Sequence, residues 1–467
     1  MKKGSILVGL LWCVALLAVL VVGMLHSVRL QLLTVKNHGD QVQAHYLALA
    51  GIEKAKALLY QEAKDRKRSA QSHTGTLFDD PQDFRDVPLG RGEFRVFHQG
   101  GRDDGGKVIF GVSDEESRLN LNLASQQELS KIEGMIPDVV AAIMDWRDKD
   151  NTVTPGGAEA EYYASLKPPY LPRNGPFQTV RELLMVRGVT RDLFMGEDTN
   201  QNGLLDPEED DGKASMPRDN HDGILDAGWS GLLTVNSSAA NKSALDQDRV
   251  DIQSADESEL SKIKGLSRDI ARAIVAWRNQ TKLQTIFDLL EVTALAPQAG
   301  GRTAAAGRPA NNVPNQQSRG NQNPSQTQNQ QNAAPVGPKL ISENLLMEIA
   351  DEITVGSDEE LQGAVNINTA SAEVLACLPA LDPQLAQAIV SYRKSAGFFA
   401  SIAGLLKVDG LNAQILKQLA PRISSRSDSY RILSEGRVPS SGARKRIEVI
   451  VRFSSVEFKT LSWREDL

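Results

Sequence analysis

The densest run of oxygen ligands in this 467-residue chain lies in a short acidic segment that begins at Asp198. Acidic or amide side chains occupy positions 1, 3, 5, 9 and 12 of a twelve-residue run, and Gly203 occupies position 6. This spacing is typical of a loop that wraps around Ca²⁺, a hard cation that takes about six to eight oxygen ligands, and the glycine permits the sharp turn. The predicted ligands are the side chains of Asp198, Asn200, Asn202, Asp206 and Glu209 and the backbone carbonyl of Leu204.

An incomplete copy of the same pattern follows a few residues later. Its predicted ligands are Asn220, Asp222, Asp226 and the backbone carbonyl of Ile224. Its first and twelfth positions are Arg218 and Trp229, which supply no ligand, so a second ion would need Asp219, Asp210 or Asp211 as well. The sequence therefore leaves the second ion open.

Most of the acidity of the chain belongs to this region. Residues 196–226 contain ten acidic and two basic side chains, a net charge of −8, whereas the whole chain carries −7. So many carboxylates beside so few apolar residues cannot hold a shape by burial. We expect bound Ca²⁺ to relieve their repulsion and to stabilise the ordered form by mass action, so the predicted cofactor is a structural calcium ion.

The remaining chemistry-bearing residues do not form a catalytic pattern. The six histidines contain no H-E-x-x-H pair, and there is no phosphate-binding loop or dinucleotide fingerprint. Cys13 lies in an apolar run and Cys377 in an apolar repeat, and two cysteines cannot build a disulfide scaffold. The sequence therefore favours a binding or structural protein over an enzyme.

The N-terminal region has the length and composition of a membrane span. Residues 5–25 contain no charge, and about 20 apolar residues in a helix span a bilayer. A signal peptide is the alternative, but its apolar region is usually about 7–15 residues and ends at a small-residue cleavage site, which is missing here. Lys2 and Lys3 precede the segment and favour a cytoplasmic N-terminus, with the rest of the chain outside the cytoplasm.

The helical pattern continues beyond this segment. Val28, Leu32 and Val35 share one face, and residues 46–59 resume it. We therefore expect one helix over about residues 5–64, whose first third lies in lipid and whose remainder packs on a soluble domain. A short polar leader that ends in Gly4, followed by such a helix, resembles the N-terminus of type IV pilins and pseudopilins. The resemblance implies that a prepilin peptidase cleaves between Gly4 and Ser5.

Gly9 departs from the pilin pattern, in which the fifth mature position is usually a glutamate. A carboxylate in lipid is costly unless it meets a partner such as a neighbour's N-terminal ammonium. A subunit without it is better suited to begin or cap a fibre than to extend one, which points to the tip. The alternative is that Gly9 is merely an apolar residue of the anchor.

Strand patterns occur near both ends of the chain, at residues 92–98, 107–112, 430–434, 446–453 and 456–461. Together with the long helix they predict an α+β fold, a type IV pilin-like helix and antiparallel sheet, interrupted by a large insertion over about 117–423.

The insertion contains an internal repeat. Three copies start at Asn120, Asp251 and Asn366, and each has an arginine 27 positions after its first residue, namely Arg147, Arg278 and Arg393. A Ser or Asp stands before the first helix of each copy, where it can serve as an N-cap. The copies resemble helix-hairpin-helix units.

Such units often bind DNA, so a membrane-anchored, competence-like DNA-binding protein is the alternative function. The hairpins of this chain lack the second glycine expected of a phosphate-binding hairpin, and Asp138 and Asp382 would repel phosphate. The three copies carry three positive against five negative side chains, five against five, and two against two. These charges favour a structural or protein-binding role, with no nucleic acid as partner.

Residues 157–170, with their Tyr-Tyr and Pro-Pro pairs, separate the first two copies. Taken with Gly4, Gly9 and the repeats, they make the chain closely similar to the K minor pseudopilin family of the type II (general) secretion pathway. The resemblance implies a helical domain inserted in a pilin fold and a role in capping the pseudopilus and initiating its assembly for export of folded proteins across the outer membrane. It also implies calcium binding in kind, without mapping ligands.

The same resemblance implies the partners and the location. The partners are the minor pseudopilins I and J, then H, the major pseudopilin G, the prepilin peptidase and the inner-membrane assembly platform, and contact with secreted proteins stays open. The location is the bacterial inner membrane, as a single-pass protein with a periplasmic C-terminal domain.

These inferences divide the chain into seven segments. They are a leader (1–4), a membrane span (5–25), the pilin helix and first strands (26–116), an inserted helical domain with the calcium-binding segment 198–226 (117–295), a disordered linker rich in Asn, Gln, Pro and Gly (296–339), a third repeat (340–423) and the C-terminal strands (424–467).

Overall fold

A computed structural model describes residues 3–69, 75–214, 219–294, 337–454 and 457–465. The predicted linker, except its last three residues, lies outside the described residues, as do Arg218 and the first two leader residues. The α-helices are α1 (Lys3–Ser69), α2 (Pro81–Phe84), α3 (Gln126–Leu129), α4 (Pro137–Arg147), α5 (Ala160–Ala164), α6 (Arg191–Met195), α7 (Gly228–Leu232), α8 (Glu257–Leu260), α9 (Arg268–Arg278), α10 (Glu343–Ile349), α11 (Ala372–Cys377), α12 (Pro383–Ala396) and α13 (Ala413–Leu419).

The strands come mainly from the two ends of the chain, with short pairs in the insertion. They are β1 (Val87–Leu89), β2 (Gly92–Val96), β3 (His98–Gln99), β4 (Val108–Ile109), β5 (Ser113–Asp114), β6 (Leu119–Asn120), β7 (Leu233–Thr234), β8 (Ser238–Ala240), β9 (Val250–Asp251), β10 (Ile353–Thr354), β11 (Glu360–Gln362), β12 (Val365–Asn366), β13 (Ile423–Ser424), β14 (Ser429–Val438), β15 (Ala443–Ser454) and β16 (Glu457–Arg464).

The long helix α1 has an exposed half and a packed half. It runs five residues beyond the predicted end at residue 64. The apolar side chains from Leu7 to Val35 are exposed, and burial begins at Asp40. Residues 26–39 therefore do not pack on the soluble part of the chain, contrary to our expectation for Val28, Leu32 and Val35. From Ala44 onward, small and aliphatic side chains at helical spacing bury one face of α1 against the sheet.

The sheet confirms the α+β class. Its order is β1-β2-β14-β15-β16, and β5 pairs with the end of β14; all of these pairs are antiparallel. The strands from residues 87–114 thus pair with those from 429–464, and the chain between them forms the insertion. Glycines allow α1 and β14 to approach closely: a Cβ at Gly436 would overlap the backbone of Ala44, and one at Gly51 would overlap Ser434.

Each predicted repeat closes on itself. Its first residues form a two-residue strand that pairs in parallel with residues at the repeat's end, in the pairs β6–β7, β9–β10 and β12–β13. The arginine 27 positions into each repeat donates back to a backbone carbonyl near the start: Arg147 to Leu121, Arg278 to Ile252, and Arg393 to Ile367. The spacing that defined the repeat is therefore the spacing that closes it.

Each repeat also contains a second hairpin. The segments Val180–Met185, Ile286–Glu291 and Ile402–Lys407 form 3₁₀ helices, and α6, α10 and α13 follow them. In the second repeat this hairpin contains the linker: the Leu340 amide donates to the Val292 carbonyl, and the Ala294 amide to the Pro338 carbonyl. Residues 340–354 thus complete the second repeat, so the boundary of the third repeat moves from residue 340 to beyond Thr354.

The insertion contacts the end of α1 farthest from its apolar half. Lys67 near the end of α1 forms an ion pair with Asp246 at 2.7 Å. In the 3₁₀ helix Thr76–Phe78 that follows α1, the Phe78 ring lies 6.3 Å from the Phe398 ring of the third repeat. The junction itself is polar, because the buried carboxyl groups of Asp114, the last residue of β5, and of Glu115 and Glu116 after it link the sheet to the first and third repeats.

Candidate functional site

The apolar half of α1 is the first candidate site. Among the described residues, α1 is the one helix whose length and composition would let it cross a membrane. Gly4 and Ser5 lie within this helix, which begins at Lys3. A Cβ added at Gly9 would meet no other part of the chain within 4 Å, so the helix surface around this residue is open to a neighbour.

The acidic segment that starts at Asp198 folds as a tight loop around that residue. The Asp198 carboxylate accepts hydrogen bonds from the amides of Asn202 (3.0 Å) and Gly203 (3.1 Å). Gly203 has a φ of +71°, the left-handed conformation expected at position 6. The amide of Leu204 donates to the Asn202 side-chain oxygen at 2.7 Å. The structure thus brings the first half of the predicted ligand set onto one turn.

The second half of the loop returns to the same point. Glu209 accepts from the Thr199 amide at 2.9 Å, and its other oxygen accepts from the Asp206 amide at 3.2 Å. One Asp206 oxygen accepts from the carboxamides of Asn200 (2.8 Å) and Asn202 (2.7 Å). All five predicted side-chain ligands therefore belong to one hydrogen-bonded cluster.

The donor set of this loop fits a hard cation. Asp198, Asn202 and Glu209 are 6%, 7% and 4% exposed, so two carboxylates are buried in the same cluster. Burial first, and then the charge of Glu209, raise the pKa of Asp198 to about 6. A cation among these oxygens would stabilise the charged carboxylates that burial disfavours.

The incomplete second loop assembles differently from the sequence pattern. The structure brings Asp210, Asp219 and His221 together, with one ligand atom of each within 4.8 Å of the others. Asp226 is instead engaged at its backbone with Glu197, and its carboxylate accepts from the Gly228 amide at 2.9 Å. Asn220, Asp222 and Ile224 form a local turn. The Asp222 amide donates to the Asn220 side-chain oxygen, and the Ile224 amide donates to an Asp222 carboxylate oxygen.

The calcium-type loop lies against the pilin-like sheet. The Arg464 guanidinium at the end of β16 donates to the Gln201 carbonyl at 3.3 Å. A Cβ added at Gly203 would lie 3.9 Å from the side chain of Leu433 on β14. A cation held there would order a segment that touches both the insertion and the sheet.

The first hairpins of the first two repeats pack against other helices of the same repeat. A Cβ at Gly134 would lie 3.0 Å from Leu193, and one at Gly265 would lie 2.9 Å from Leu345, so the first hairpin packs on the second helix pair of the same repeat. The repeat arginines are likewise bonded within their repeats. This arrangement favours a structural role for the motif.

The second hairpins are the feature that the sequence analysis missed. A signal was present, because Leu-Leu-x-Val occurs at 183–186, 289–292 and 405–408, at the end of each 3₁₀ helix. Leu183, Leu289 and Leu405 are fully buried.

Two family models match the chain. The model described as "Type II secretion system (T2SS), protein K" matches residues 118–195. The model described as "Helix-hairpin-helix motif" matches residues 246–304 and 361–424, which fall in the second and third repeats.

Curated relatives fall into two groups. An endonuclease/exonuclease/phosphatase family domain-containing protein 1 from Rattus norvegicus is 28% identical over 209 residues, 45% of this chain and 33% of that protein. A type II secretion system protein K from Aeromonas hydrophila is 33% identical over 148 residues, 24% of this chain and 43% of that protein. The chain therefore spans less than half the length of either relative.

A solved structure is also similar. It is that of the GspK-GspI-GspJ complex from the type 2 secretion system of enterotoxigenic Escherichia coli, with a TM-score of 0.40 and 12% identity over 94% of this chain and 99% of that one.

Proposed function

The chain belongs to the type II secretion system protein K family, and we propose that it is the minor pseudopilin that caps the tip of the periplasmic pseudopilus. In this role it helps to initiate assembly of the fibre that exports folded proteins across the outer membrane. The observation that carries the proposal is the position of the insertion, which contacts the end of α1 farthest from its apolar half.

This position supports a tip rather than a mid-fibre location. In a fibre built from stacked α1 helices, the next subunit would have to fit above the membrane-distal end of α1. The insertion reaches that end through Lys67 and Asp246, and it adds three repeats to the pilin-like body. A subunit of this shape can have neighbours below it but leaves little room above it.

The open helix surface at Gly9 agrees with the same role. Without a carboxylate at this position, α1 has no charge with which to bind the N-terminal ammonium of a subunit assembled earlier. Processing between Gly4 and Ser5 by prepilin peptidase, and an inner-membrane location with a cytoplasmic N-terminus, are part of the proposal.

The proposed partners are the minor pseudopilins I and J, which bind first, then H and the major pseudopilin G, and the inner-membrane assembly platform. The exposed segment of α1 over residues 26–39 offers a surface for such neighbours, since its apolar side chains pack against nothing within the described chain. Contact with secreted proteins is left open.

The proposal includes structural calcium at the loop 198–209, with Asp198, Asn200, Asn202, Asp206 and Glu209 and the carbonyl of Leu204 as ligands. The buried pair Asp198 and Glu209 supports it. For a second ion, the cluster of Asp210, Asp219 and His221 is a better centre than the predicted set of Asn220, Asp222, Ile224 and Asp226.

The proposal assigns no catalytic activity to the chain. Burial raises the pKa of Cys377 to about 12, which disfavours a reactive thiolate. The endonuclease/exonuclease/phosphatase family domain in the name of the rat relative describes that protein, and we do not assign its activity to this chain.

The location at the tip can be tested by immunogold labelling of pseudopili that contain the full chain. We expect one labelled end per fibre. Label distributed along the sides would contradict the proposal. Two features could prevent extension of the fibre beyond this subunit, the insertion and the missing carboxylate at position 9, and the variant Gly9→Glu separates them. If the insertion blocks extension, the label of the variant stays at the end of the fibre. If the missing carboxylate is the only cause, the label of the variant spreads along the fibre.

The partners can be tested by co-purification of the full chain in detergent with the cognate I and J pseudopilins. A mobility-shift assay with duplex DNA at physiological salt runs in parallel. Binding to DNA without binding to any pseudopilin would favour the competence-like alternative.

A further inference from the structure

A buried acidic cluster lies in the first repeat, outside the calcium-type segment 198–226. Asp145 is on α4, Asp148 is the first residue after α4, and Glu159 is the residue before α5. One carboxylate oxygen from each lies within 4.8 Å of the others. Asp145 and Glu159 are 0% and 2% exposed. Three carboxylates therefore converge at one place in the interior of the insertion.

Glu159 has no ion-pair partner among the described residues. Both of its carboxylate oxygens are buried and have no hydrogen-bond partner, and the same holds for one oxygen of Asp148. Asp145 accepts from the Thr154 amide at 3.2 Å. No lysine or arginine of the described residues pairs with these three groups, and leaving a buried carboxylate unpaired is costly.

The local structure holds the cluster in place. The guanidinium of Arg147, which lies between Asp145 and Asp148 in the sequence, donates to the carbonyls of Leu121 and Ala124 rather than to these carboxylates. The loop after α4 turns at Gly157, whose amide donates to the Thr154 carbonyl at 2.7 Å. A Cβ at Gly157 would overlap the Asp145 carboxylate, so the glycine lets the loop carry Glu159 over the end of α4.

We propose that Asp145, Asp148 and Glu159 bind a divalent cation of the calcium class. Two ligands of one Ca²⁺, each at about 2.4 Å, are at most about 4.8 Å apart, so three oxygens that all lie within 4.8 Å of one another are close enough to contact a single ion. A donor set made only of carboxylate oxygens suits hard cations and not the soft ones that prefer sulfur. The site is separate from the loop 198–209 and does not depend on the role proposed in secretion.

A sequence signal for this site existed. Asp148 and Glu159 are the first and last residues of a twelve-residue run, the same separation as Asp198 and Glu209. Asp150 occupies the third position. Val153 occupies the sixth, where the calcium-loop pattern requires glycine, so the pattern did not match. The fold supplies the missing proximity through Asp145, three residues before the run.

The test uses the full chain in detergent, in a Glu209→Gln background that disables the loop 198–209. Thermal unfolding is measured in EGTA, in 10 mM CaCl₂, and in NaCl of the same ionic strength. We expect calcium to raise the melting temperature in this background by a few degrees. Adding Glu159→Gln should abolish that rise and weaken calcium affinity at least tenfold, as measured by calorimetric titration.

Two controls make the outcome decisive. Glu161→Gln changes an exposed acid two residues away and should keep the full calcium response. Asp148→Asn, at a half-buried position, should reproduce the loss even if Glu159→Gln fails to fold. The proposal is overturned if Glu159→Gln and Asp148→Asn keep the calcium response, or if NaCl gives the same rise as CaCl₂.

Discussion

The pilin-like sheet meets α1 on one face through apolar contacts and meets the insertion through buried charges. Against α1, the core consists of residues such as Ile52, Leu59, Ile432 and Val449, all at most 3% exposed. At the junction with the insertion, Asp114, Glu115 and Glu116 are equally buried, yet their partners are polar side chains and backbone amides.

The two kinds of contact differ in how strictly they fix the relative orientation of the parts they join. Apolar burial stabilises many relative orientations about equally, because it scales with area and not with angle. A network in which Arg431 donates to both Glu115 and Glu448 is satisfied in one geometry only. We infer that the apolar contact holds the body together and that the polar junction fixes the orientation of the insertion relative to the sheet.

The largest expected effect comes from removing one charge at the junction. Glu115→Gln leaves Arg431 and Arg118 without the carboxylate to which both are bonded at 2.9 Å. Breaking a buried pair in this way costs about 3–5 kcal/mol of unfolding free energy. Calorimetric melting of the full chain measures it, and Glu53→Gln, whose carboxylate is exposed, should change stability by less than about 1 kcal/mol. A loss at Glu115 as small as that at Glu53 would mean that the junction is not stabilised by charge.

The same group gives the junction a pH signature. Burial by itself would raise the pKa of Glu115, but Arg431 and Arg118 outweigh it and lower the pKa to about 2. Since the folded value lies below the unfolded value of about 4.5, its stabilisation is present above pH 4.5 and is lost as the pH falls towards 2. Burial raises the pKa values of Asp114 and Glu116, so their protonation acts in the opposite direction.

Comparing wild type with Glu115→Gln isolates this contribution. Their difference in unfolding free energy should be largest above pH 4.5 and should shrink as the pH falls. A difference that stays constant over this range would assign the loss to packing.

The sequence anticipated those parts of the fold that depend on local patterns. The apolar run and helical spacing predicted α1, alternation predicted β14 to β16, and self-similarity located the three repeats. The junction could not be predicted, because Glu115 and Arg431 are 316 positions apart and neither belongs to a motif.

The sites followed the same division. The loop 198–209 contains its whole predicted ligand set in twelve consecutive residues, so spacing alone predicted the side chains that the structure gathers into one hydrogen-bonded cluster. The cluster of Asp145, Asp148 and Glu159 needs the end of α4 to meet the start of α5, and the role of Arg147 needs the repeat to close. Such contacts depend on tertiary structure, which a linear pattern does not contain.

The apolar side of the comparison is tested at the closest approach of α1 and β14. Gly436→Val places a side chain against the backbone of Ala44, and overpacking of this kind costs about 1–3 kcal/mol. The loss should be the same at pH 7 and pH 4, unlike that of Glu115→Gln. Gly442→Val, in the open turn after β14, is the control. It measures the cost of placing a valine in a left-handed backbone conformation where the side chain overlaps nothing. A loss at Gly436 that varies with pH, or that does not exceed the strain at Gly442, would weaken the distinction between the two regions.

Calcium removal should have a smaller effect, restricted to the segment that touches both regions. With a dissociation constant of about 10⁻⁴–10⁻³ M, 10 mM calcium stabilises by about 1.4–2.7 kcal/mol over EGTA. Hydrogen exchange should show the added protection at residues 198–209 and at β16, which Arg464 links to the loop. Glu209→Gln should remove this protection, and Glu208→Gln, an exposed neighbour, should not. Equal protection in EGTA and calcium would contradict a structural ion at this loop.

The smallest effects are expected within the insertion, at the arginines that close the repeats. Arg147 donates to two carbonyls, whereas Arg393 donates to Ile367 at 2.8 Å. A lysine can replace one such bond but not a forked pair, so Arg147→Lys should cost about 1–2 kcal/mol and Arg393→Lys less than about 1 kcal/mol. Melting of the full chain ranks them, and a DNA mobility-shift assay serves as the control. If the arginines close the repeats, the ranking follows the number of carbonyls each one binds and DNA mobility does not change. If they bind phosphate, both substitutions weaken DNA binding and leave the melting temperature where it was.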